Sequence, residues 1–260
     1  MTNDRRPTTH DPLLIDLSCD LGEAGTPMEQ AIEDALWPLI TSANVACGAH
    51  AGDDSTMKHA FDQARRYGVR IGAHPSYPDR ENFGRRSLDL PAVDLRDTLV
   101  DQLQRLKSFA SLSGISLERV KPHGALYHDL HLDRARAGTF VDAIIAVDRT
   151  ISVVTALSSQ LAEVALERCL CVVREAFGDR RYRADGSLVS RREANALLLE
   201  PGEAAEQASR LAATGTVVAE DGSEIAIPFD TICVHGDMEG SPERVRRIRE
   251  RLEEGGFRFQ

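Results

Sequence analysis

Short apolar runs alternate with longer amphipathic segments along most of this chain of 260 residues. The short runs have the two-residue period of β-strands, and the longer segments repeat apolar residues at i, i+3, i+4 and i+7, as helices do. Roughly seven strand–helix units follow one another between Leu13–Asp20 and Thr231–Asp237. Such a series predicts a parallel sheet, most naturally a closed or nearly closed (β/α) barrel in a single domain.

Local signals sharpen some of these elements. Pro38 lies within the helix predicted over Pro27–Ile40, and we expect a distorted last turn because proline donates no backbone hydrogen bond. The Asp221-Gly222 pair predicts a β-hairpin over Thr216–Ile227. Further strands are expected over Val69–His74, Arg119–Leu126, Ile151–Leu157 and Cys169–Arg174.

Charge limits the partners of this protein. The 31 Lys and Arg residues are outnumbered by 41 Asp and Glu residues, so the formal net charge is −10. Nucleic acids and anionic membranes attract a basic surface, and we therefore expect neither as a partner. A small anionic substrate remains compatible with this charge, because a few local arginines or a lysine would suffice to bind it.

The N-terminal residues and the cysteines predict the subcellular location of the protein. Residues 1–12 are polar and lack the apolar segment of a signal peptide, so we expect a flexible leader followed by one domain over residues 13–260. No run predicts a transmembrane helix. The five cysteines form no CxxC pair and lie in apolar runs, which predicts buried thiols in a cytoplasmic protein.

Acids and histidines interrupt the apolar pattern in most units, and they do so at the C-terminal end of the strand. That end carries the active site in (β/α) barrels. Each residue also has a structural interpretation, as a hydrogen-bonded core histidine or a capping acid, so their shared location is what predicts a catalytic pocket. The candidates are Asp20, His50, His74, His123, Glu175, Asp179, His235 and Asp237.

The segment Ser42–Asp53, SANVACGAHAGD, illustrates the pattern. Its alternation directs Asn44 into the barrel, as a candidate substrate-binding residue, before the chain turns at glycines around His50. Asp53 has two interpretations, an acid of the pocket or the N-cap of the next helix.

Cationic and phenolic side chains complete the predicted pocket. Lys121, Arg86 and Arg191 are candidates for binding a substrate carboxylate, the two arginines by bidentate contact. Adjacent arginines also occur on solvated edges, and this alternative stays open for Arg86. Tyr127 follows His123 closely enough to contact the same substrate.

Six motifs in this order resemble those of the LamB/YcsF family, from Leu14 to about Phe257. They are DLSCDLGE, SANVACGAHAGD, GAHPSYPD with FGRR, VKPHGALY, FGDRRY with Arg191, and CVHGD. Ser18, Asp54 and Gly178 depart from the family pattern, and the segment after Glu23 is short. None of these departures removes a charged candidate residue. The short segment borders the mouth of the expected site, so it affects the expected size of the substrate or the presence of a lid.

The resemblance implies a (β/α)7-type barrel related to the polysaccharide-deacetylase superfamily. It also implies ATP-dependent hydrolysis of 5-oxo-L-proline to L-glutamate, together with separate B and C subunits. The chain has neither a GxxxxGK[ST] loop nor a Rossmann fingerprint, so we expect ATP to be bound mainly by the partners. We expect the partners to activate the lactam and this chain to open the ring with water.

A divalent transition metal is a second expected cofactor. A carboxylate with two or three imidazoles suits Zn, Mn or Fe, and the related deacetylases use an Asp-His-His set. Asp20, His50 and His74 are the corresponding metal candidates, with Asp20 alternatively a general base. Two other functions remain open, a stand-alone metal-dependent deacetylase or amidohydrolase acting on a sugar or small amide, and a non-catalytic ligand-binding barrel.

Overall fold

Seven parallel strands close into a barrel in this computed structural model, which describes residues 13–191, 193–238 and 240–260. The strand order is β1-β2-β3-β4-β5-β6-β9, and β9 pairs again with β1. The predicted leader, residues 1–12, lies outside the described residues. These strands are Leu14–Leu21 (β1), Ser42–Ala46 (β2), Arg70–His74 (β3), Leu117–Val120 (β4), Ser152–Thr155 (β5), Val172–Phe177 (β6) and Thr231–Val234 (β9). The predicted (β/α)7-type barrel is confirmed.

Helices surround the barrel, and three short strands complete the described part of the chain. A hairpin of β7 (Thr216–Val218) and β8 (Glu224–Ala226) confirms the turn predicted at Asp221-Gly222, and β10 (Arg258–Phe259) pairs with the first residues of β1. The helices are Pro27–Leu36 (α1), Asp54–Tyr67 (α2), Ala92–Ser113 (α3), Gly124–Leu132 (α4), Arg134–Val147 (α5), Gln160–Glu167 (α6), Pro201–Thr214 (α7) and Ser241–Glu254 (α8). Across the described residues, no helix combines the length and apolar character needed to cross a membrane.

Two predicted helix ends are confirmed. α1 ends at Leu36, and the 3-10 turn Trp37–Leu39 follows it at Pro38. Asp53 is the N-cap of α2, where its Oδ1 accepts hydrogen bonds from the backbone N–H groups of Ser55 and Thr56 at 2.8 and 2.9 Å. Of its two interpretations, the helix cap is therefore the correct one.

Two predicted strands have different bounds in the structure. β4 ends at Val120 and α4 begins at Gly124, because Pro122 between them cannot donate a strand hydrogen bond. β6 begins at Val172, because Cys169 has a positive φ of 60° in the turn before it. The predicted burial is consequently wrong for Cys169 and Cys171, which are exposed, and correct for Cys19, Cys47 and Cys233.

The inside of the barrel is polar, whereas the apolar core lies between the strands and the helices. Asp16 and Asp20 of β1 point inward, and the alternate Leu17 and Leu21 pack in the core. Gly72 of β3 leaves room inside, because a Cβ there would lie 2.6 Å from Cγ of Arg119.

An ion cluster closes the N-terminal end of the barrel interior. Asp16 Oδ2 accepts a hydrogen bond from Arg119 at 2.6 Å, and its Oδ1 accepts one from Arg70 at 2.8 Å. The hydroxyls of Thr41 and Ser42 donate to the same carboxylate at 2.7 and 2.8 Å. Burial alone would raise the pKa of Asp16, but Arg119, Thr41 and Arg70 hold this pKa below its usual range.

Candidate active site

A cavity of about 760 Å³ opens at the C-terminal end of the barrel strands. This is the predicted end, and it is where the loops after the strands meet. Eight predicted site residues line the cavity, namely Asp20, His74, Lys121, His123, Tyr127, Arg191, His235 and Asp237.

An ion-paired lysine forms the floor of the cavity. Lys121 Nζ lies 3.0 Å from each carboxylate oxygen of Asp20 and 2.7 Å from Oε1 of Glu175. Burial would lower the pKa of Lys121, but Asp20, Cys233 and Glu175 raise it well above its usual range. Lys121 is thus a fixed cation whose charge is already balanced, which argues against its predicted contact with a substrate carboxylate.

Three imidazoles surround one carboxylate above this floor. Glu23 Oε1 lies 3.0 Å from His50 Nε2, 3.4 Å from His123 Nδ1 and 3.9 Å from His74 Nε2. His74 Nε2 also lies 3.0 Å from His123 Nδ1 and 3.3 Å from Oδ2 of Asp20. The three histidines and Asp20, predicted separately along the chain, therefore meet in one cluster with Glu23 at its centre.

Hydrogen bonds on the outer side fix the orientation of each ring in this cluster. The acceptors are the hydroxyl of Ser76 for His50 Nδ1 at 2.9 Å, the carbonyl of Lys121 for His74 Nδ1 at 2.8 Å, and the carbonyl of Phe83 for His123 Nε2 at 2.9 Å. The Ser76 hydroxyl donates to the Tyr77 carbonyl and so accepts from His50. A ring nitrogen that donates outward leaves the other nitrogen to face Glu23.

Neighbouring charges divide the proton affinities within the cluster. Burial and the nearby His74 lower the pKa values of His50 and His123 well below their usual range. Burial would lower the pKa of His74 too, but Asp20 raises it. Burial raises the pKa of Glu23 to about 8. The cluster therefore combines two imidazoles of lowered proton affinity with an imidazole and a carboxyl of raised proton affinity.

These residues fit a divalent transition metal. Ligand atoms of Glu23, His74 and His123 all lie within 4.8 Å of one another. Outward hydrogen bonds that orient the rings are typical of metal-binding histidines. The sequence predicts Asp20, His50 and His74 as the metal ligands. Of these three, His74 also belongs to the group of Glu23, His74 and His123. Asp20 contacts this group through His74, and His50 contacts it through Glu23.

A histidine–aspartate pair lies on another part of the cavity wall. Asp179 Oδ1 accepts a hydrogen bond from His235 Nδ1 at 2.9 Å, and its Oδ2 accepts one from the backbone N–H of His235 at 2.8 Å. Phe177 stacks on the imidazole with ring centroids 5.6 Å apart. Burial would raise the pKa of Asp179, but His235 holds it below its usual range. The fixed Nδ1–H leaves Nε2 of His235 available for proton transfer.

Arginines form the outer part of the same cavity. Arg85 donates to Asp237 Oδ2, and Nη1 of Arg191 lies 3.6 Å from the same oxygen. Arg180 also lines the cavity and is only 2% exposed. Arg86, which the sequence predicts to bind a substrate carboxylate, is exposed and does not line the cavity; its neighbour Arg85 occupies that position.

The other predicted residues lie behind the cavity wall. Asn44 points into the barrel as expected, where it donates to Asp20 Oδ1 at 2.8 Å. Glu175 and Asp179 are buried behind the wall, where Glu175 contacts Lys121 and Asp179 contacts His235.

Sequence reasoning missed several residues of this site, chief among them Glu23. Its position in the DLGE motif, directly after a strand that ends in Asp20, was the available signal. The sequence pattern favours a surface position for His128, and the residue is exposed; it also lines the mouth of the cavity from the second turn of α4. Arg180 was not among the binding candidates, although it lies in the FGDRRY motif beside Asp179.

The LamB/YcsF family profile matches residues 15–260, and the chain belongs to this family. A relative from Streptomyces avermitilis, named as the A subunit of 5-oxoprolinase, is 42% identical over 94% of this chain and 98% of its own length. One of the same name from Symbiobacterium thermophilum is 41% identical over 93% of each chain. The resemblance inferred from the six motifs is thereby confirmed.

Solved structures agree with the fold. The Lactam Utilization Protein from Thermus thermophilus superposes with a TM-score of 0.89 at 35% identity, over 95% of this chain and 99% of that one. The Xyl-CE4 domain of a xylanase from the Trinervitermes trinervoides hindgut metagenome has a TM-score of 0.50 at 12% identity, over 96% and 87%. The second likeness concerns the fold alone.

Proposed function

We propose that this chain hydrolyses the cyclic amide of 5-oxo-L-proline to L-glutamate, as the A subunit of an ATP-dependent 5-oxoprolinase with B and C subunits. The observation that carries the proposal is a cavity with a His235–Asp179 pair and an imidazole–carboxylate cluster, in a chain with a 41% identical relative named as that subunit of 5-oxoprolinase. The name of the Thermus structure, a lactam utilization protein, supports the same class of substrate.

Opening the lactam requires a nucleophile and two proton movements. Water attacks the ring carbonyl carbon, the bond from that carbon to the ring nitrogen breaks, and the nitrogen gains a proton to become the amine of glutamate. His235 is suited to both proton movements, because Asp179 holds its Nδ1–H and leaves Nε2 free to accept the proton of water and then deliver it to the nitrogen.

The remaining buried groups hold charge around the reacting carbonyl. Asp20 and Lys121 form a fixed ion pair at the cavity floor, and Glu23 with His74 and His123 lies above them. A divalent metal held by Glu23, His74 and His123 would supply Lewis-acid polarisation of the carbonyl oxygen.

ATP enters this proposal through the partners. A five-membered lactam is a stable amide, and its hydrolysis at neutral pH needs an activated carbonyl. No phosphate-loop motif occurs in the sequence, so the B and C subunits are proposed to bind ATP and transfer its terminal phosphoryl group to the lactam oxygen, with release of ADP. The phosphoryl group then leaves as inorganic phosphate when water opens the ring. This chain then completes the hydrolysis in the cytoplasm.

Glutamate release tests the proposal. Release is measured from 5-oxo-L-proline with the chain alone, with ATP, and with ATP plus the B and C subunits; we expect it only in the last mixture. Amide hydrolysis by the chain alone without ATP would indicate the deacetylase or amidohydrolase alternative instead. Ligand binding without turnover in all three mixtures would indicate a binding barrel.

A variant pair and an elemental analysis refine this test. His235→Gln is expected to abolish release, whereas His59→Gln, which removes a half-exposed ring bonded to Asp34 away from the cavity, is expected to retain it. Less than roughly a tenth of an equivalent of transition metal in freshly purified protein would contradict the metal part of the proposal.

A further inference from the structure

Positive charge exceeds negative charge on the arginine side of the cavity. Arg85 and Arg191 share one carboxylate, that of Asp237. For the guanidinium of Arg180, no carboxylate oxygen lies within 4.0 Å among residues 13–191, 193–238 and 240–260. Among the described residues, Asp237 is thus the only carboxylate within ion-pair distance of these three guanidiniums. Asp179 beside Arg180 raises the pKa of that arginine from beyond this distance and is hydrogen-bonded to His235, and Lys121 at the floor is already paired with Asp20 and Glu175.

Arg180 differs from the other two arginines in its burial. The residue is 2% exposed, and its Nε is buried without a hydrogen-bond partner in the described part of the chain. Its Nη2 donates to the carbonyl of Val189 at 2.7 Å, which holds the guanidinium in place at the cavity. A buried guanidinium without a counter-ion is unfavourable, and an anionic ligand would relieve this cost.

The surroundings of Arg180 carry the same positive potential. Burial, and then the neighbouring Arg191, lower the pKa of Arg180 to about 10, so it remains charged at neutral pH. Burial, Arg180 and Arg191 together lower the pKa of His128, a third residue on this side of the cavity. Arg180, Arg191 and His128 all line the cavity.

We propose that Arg180, assisted by Arg191, binds an oxyanion group of the ligand. This inference rests on the proposed function and specifies which chemical group of the ligand the cavity recognises. The oxyanion is the carboxylate of the lactam acid or a phosphoryl group attached to the lactam during activation, since a guanidinium fork binds either in a bidentate manner. Because Arg180 directly follows Asp179, the bound anion would orient the ring beside His235.

Calorimetric binding to the complete chain separates the carboxylate from the ring. The probes are 5-oxo-L-proline, 2-pyrrolidinone, which is the same lactam without the carboxylate, and inorganic phosphate. Arg180→Gln is expected to weaken 5-oxo-L-proline binding ~30-fold or more, because removing one partner of a buried charge-assisted contact leaves the other unpaired. Binding of 2-pyrrolidinone should change less than ~3-fold.

Arg181→Gln is the matched control. Arg181 is the next residue, but it pairs with Glu203 at the surface and does not line the cavity. It is expected to leave all three affinities unchanged. If Arg180→Gln does not fold, Arg191→Gln at a half-exposed position is used instead. We then expect the affinity for the two anionic probes alone to fall ~5-fold or more.

The outcomes distinguish the source of the oxyanion. Arg180-dependent binding of 5-oxo-L-proline supports the carboxylate, and Arg180-dependent binding of phosphate alone supports the phosphoryl group. If neither anion binds in a manner that depends on these arginines, the inference is overturned. That result would leave the proposed function standing, whereas Arg180-dependent phosphate binding without lactam turnover by the assembled subunits would support the inference and overturn the proposed function.

Discussion

The two ends of the barrel interior hold similar buried charges and differ in what those charges contact. At the N-terminal end, Asp16 is saturated by Arg119, Arg70 and two hydroxyls. At the C-terminal end, Asp20 and its neighbours line a cavity of about 760 Å³ and include groups of opposed proton affinity. Buried charge alone is therefore not evidence of a site, whereas buried charge that faces a cavity and includes groups of opposed proton affinity is.

The largest expected effect is on activity at the C-terminal end. Asp179→Asn turns the orienting carboxylate into an amide that cannot accept both hydrogen bonds from His235. We expect turnover of the assembled enzyme to fall ~10³- to 10⁴-fold, as when a histidine is left in the wrong tautomer. Steady-state kinetics against Asp230→Asn, an acid paired with Arg174 outside the cavity, measures this loss. A loss of less than about 10-fold would contradict the proton-transfer role proposed for His235.

The next effect concerns stability at the N-terminal end. Arg119→Met leaves the buried Asp16 with Arg70 as its remaining ion-pair partner within the described part of the chain. Breaking a buried pair in this way should lower the free energy of unfolding by ~3 kcal/mol, with turnover of the folded protein nearly unchanged. Urea unfolding beside Arg168→Met, which breaks only a surface pair with Asp142, provides the comparison. Lost turnover in a stably folded Arg119→Met protein would contradict the division between the two ends.

A third test addresses how Glu23 is held at the cavity. Glu33 of α1 accepts hydrogen bonds from the backbone N–H groups of Gly22, Glu23 and Ala24 at 2.9, 2.8 and 2.9 Å. Glu33→Gln replaces one accepting oxygen by a donor, so we expect ~1–3 kcal/mol lower stability and ~10- to 100-fold lower turnover.

The control for Glu33→Gln is the adjacent acid. Asp34→Asn changes a half-exposed side chain that bonds His59 and Gln30. It should retain turnover and the unfolding midpoint. Equal losses in the two variants would mean that Glu33 stabilises α1 without orienting Glu23.

The smallest expected effect is the pH dependence of stability from Asp16. Its folded pKa lies below the unfolded value, so its contribution is present above about pH 4 and is lost as the pH falls through the folded pKa. Urea midpoints measured between about pH 5 and pH 3 should therefore fall less steeply for Asp16→Asn than for the unmodified protein. Parallel curves for the two proteins would show that Asp16 carries no such linkage.

Much of the fold followed from local pattern. Alternation and helical spacing predicted the barrel, and the hairpin at Asp221-Gly222 and the distortion at Pro38 followed from turn and proline chemistry. Strand ends were less accurate where a local backbone feature intervened, as at Cys169 with its positive φ. There the apolar run begins at Cys169, but the strand begins only at Val172, after the turn.

The sequence predicted part of the site, and the errors in that prediction have a common cause. Residues at strand ends were found because a parallel barrel brings those ends together. Some residues on the loops that follow were nevertheless missed or exchanged for a neighbour, as with Glu23 and with Arg85 in place of Arg86. The path of a loop depends on distant contacts such as those of Glu33, which no local period encodes.

The sequence by itself determined the order of strands and helices and the alternation that directs Asp16 and Asp20 into the barrel. Only the tertiary structure decided that Asp16 is a structural ion and Asp20 belongs to a cavity, although both lie on one face of the same strand. The physical reason is that each acid acquires its role from a partner far away in the sequence, Arg119 for one and Lys121 for the other. Such pairings exist only once the barrel has closed.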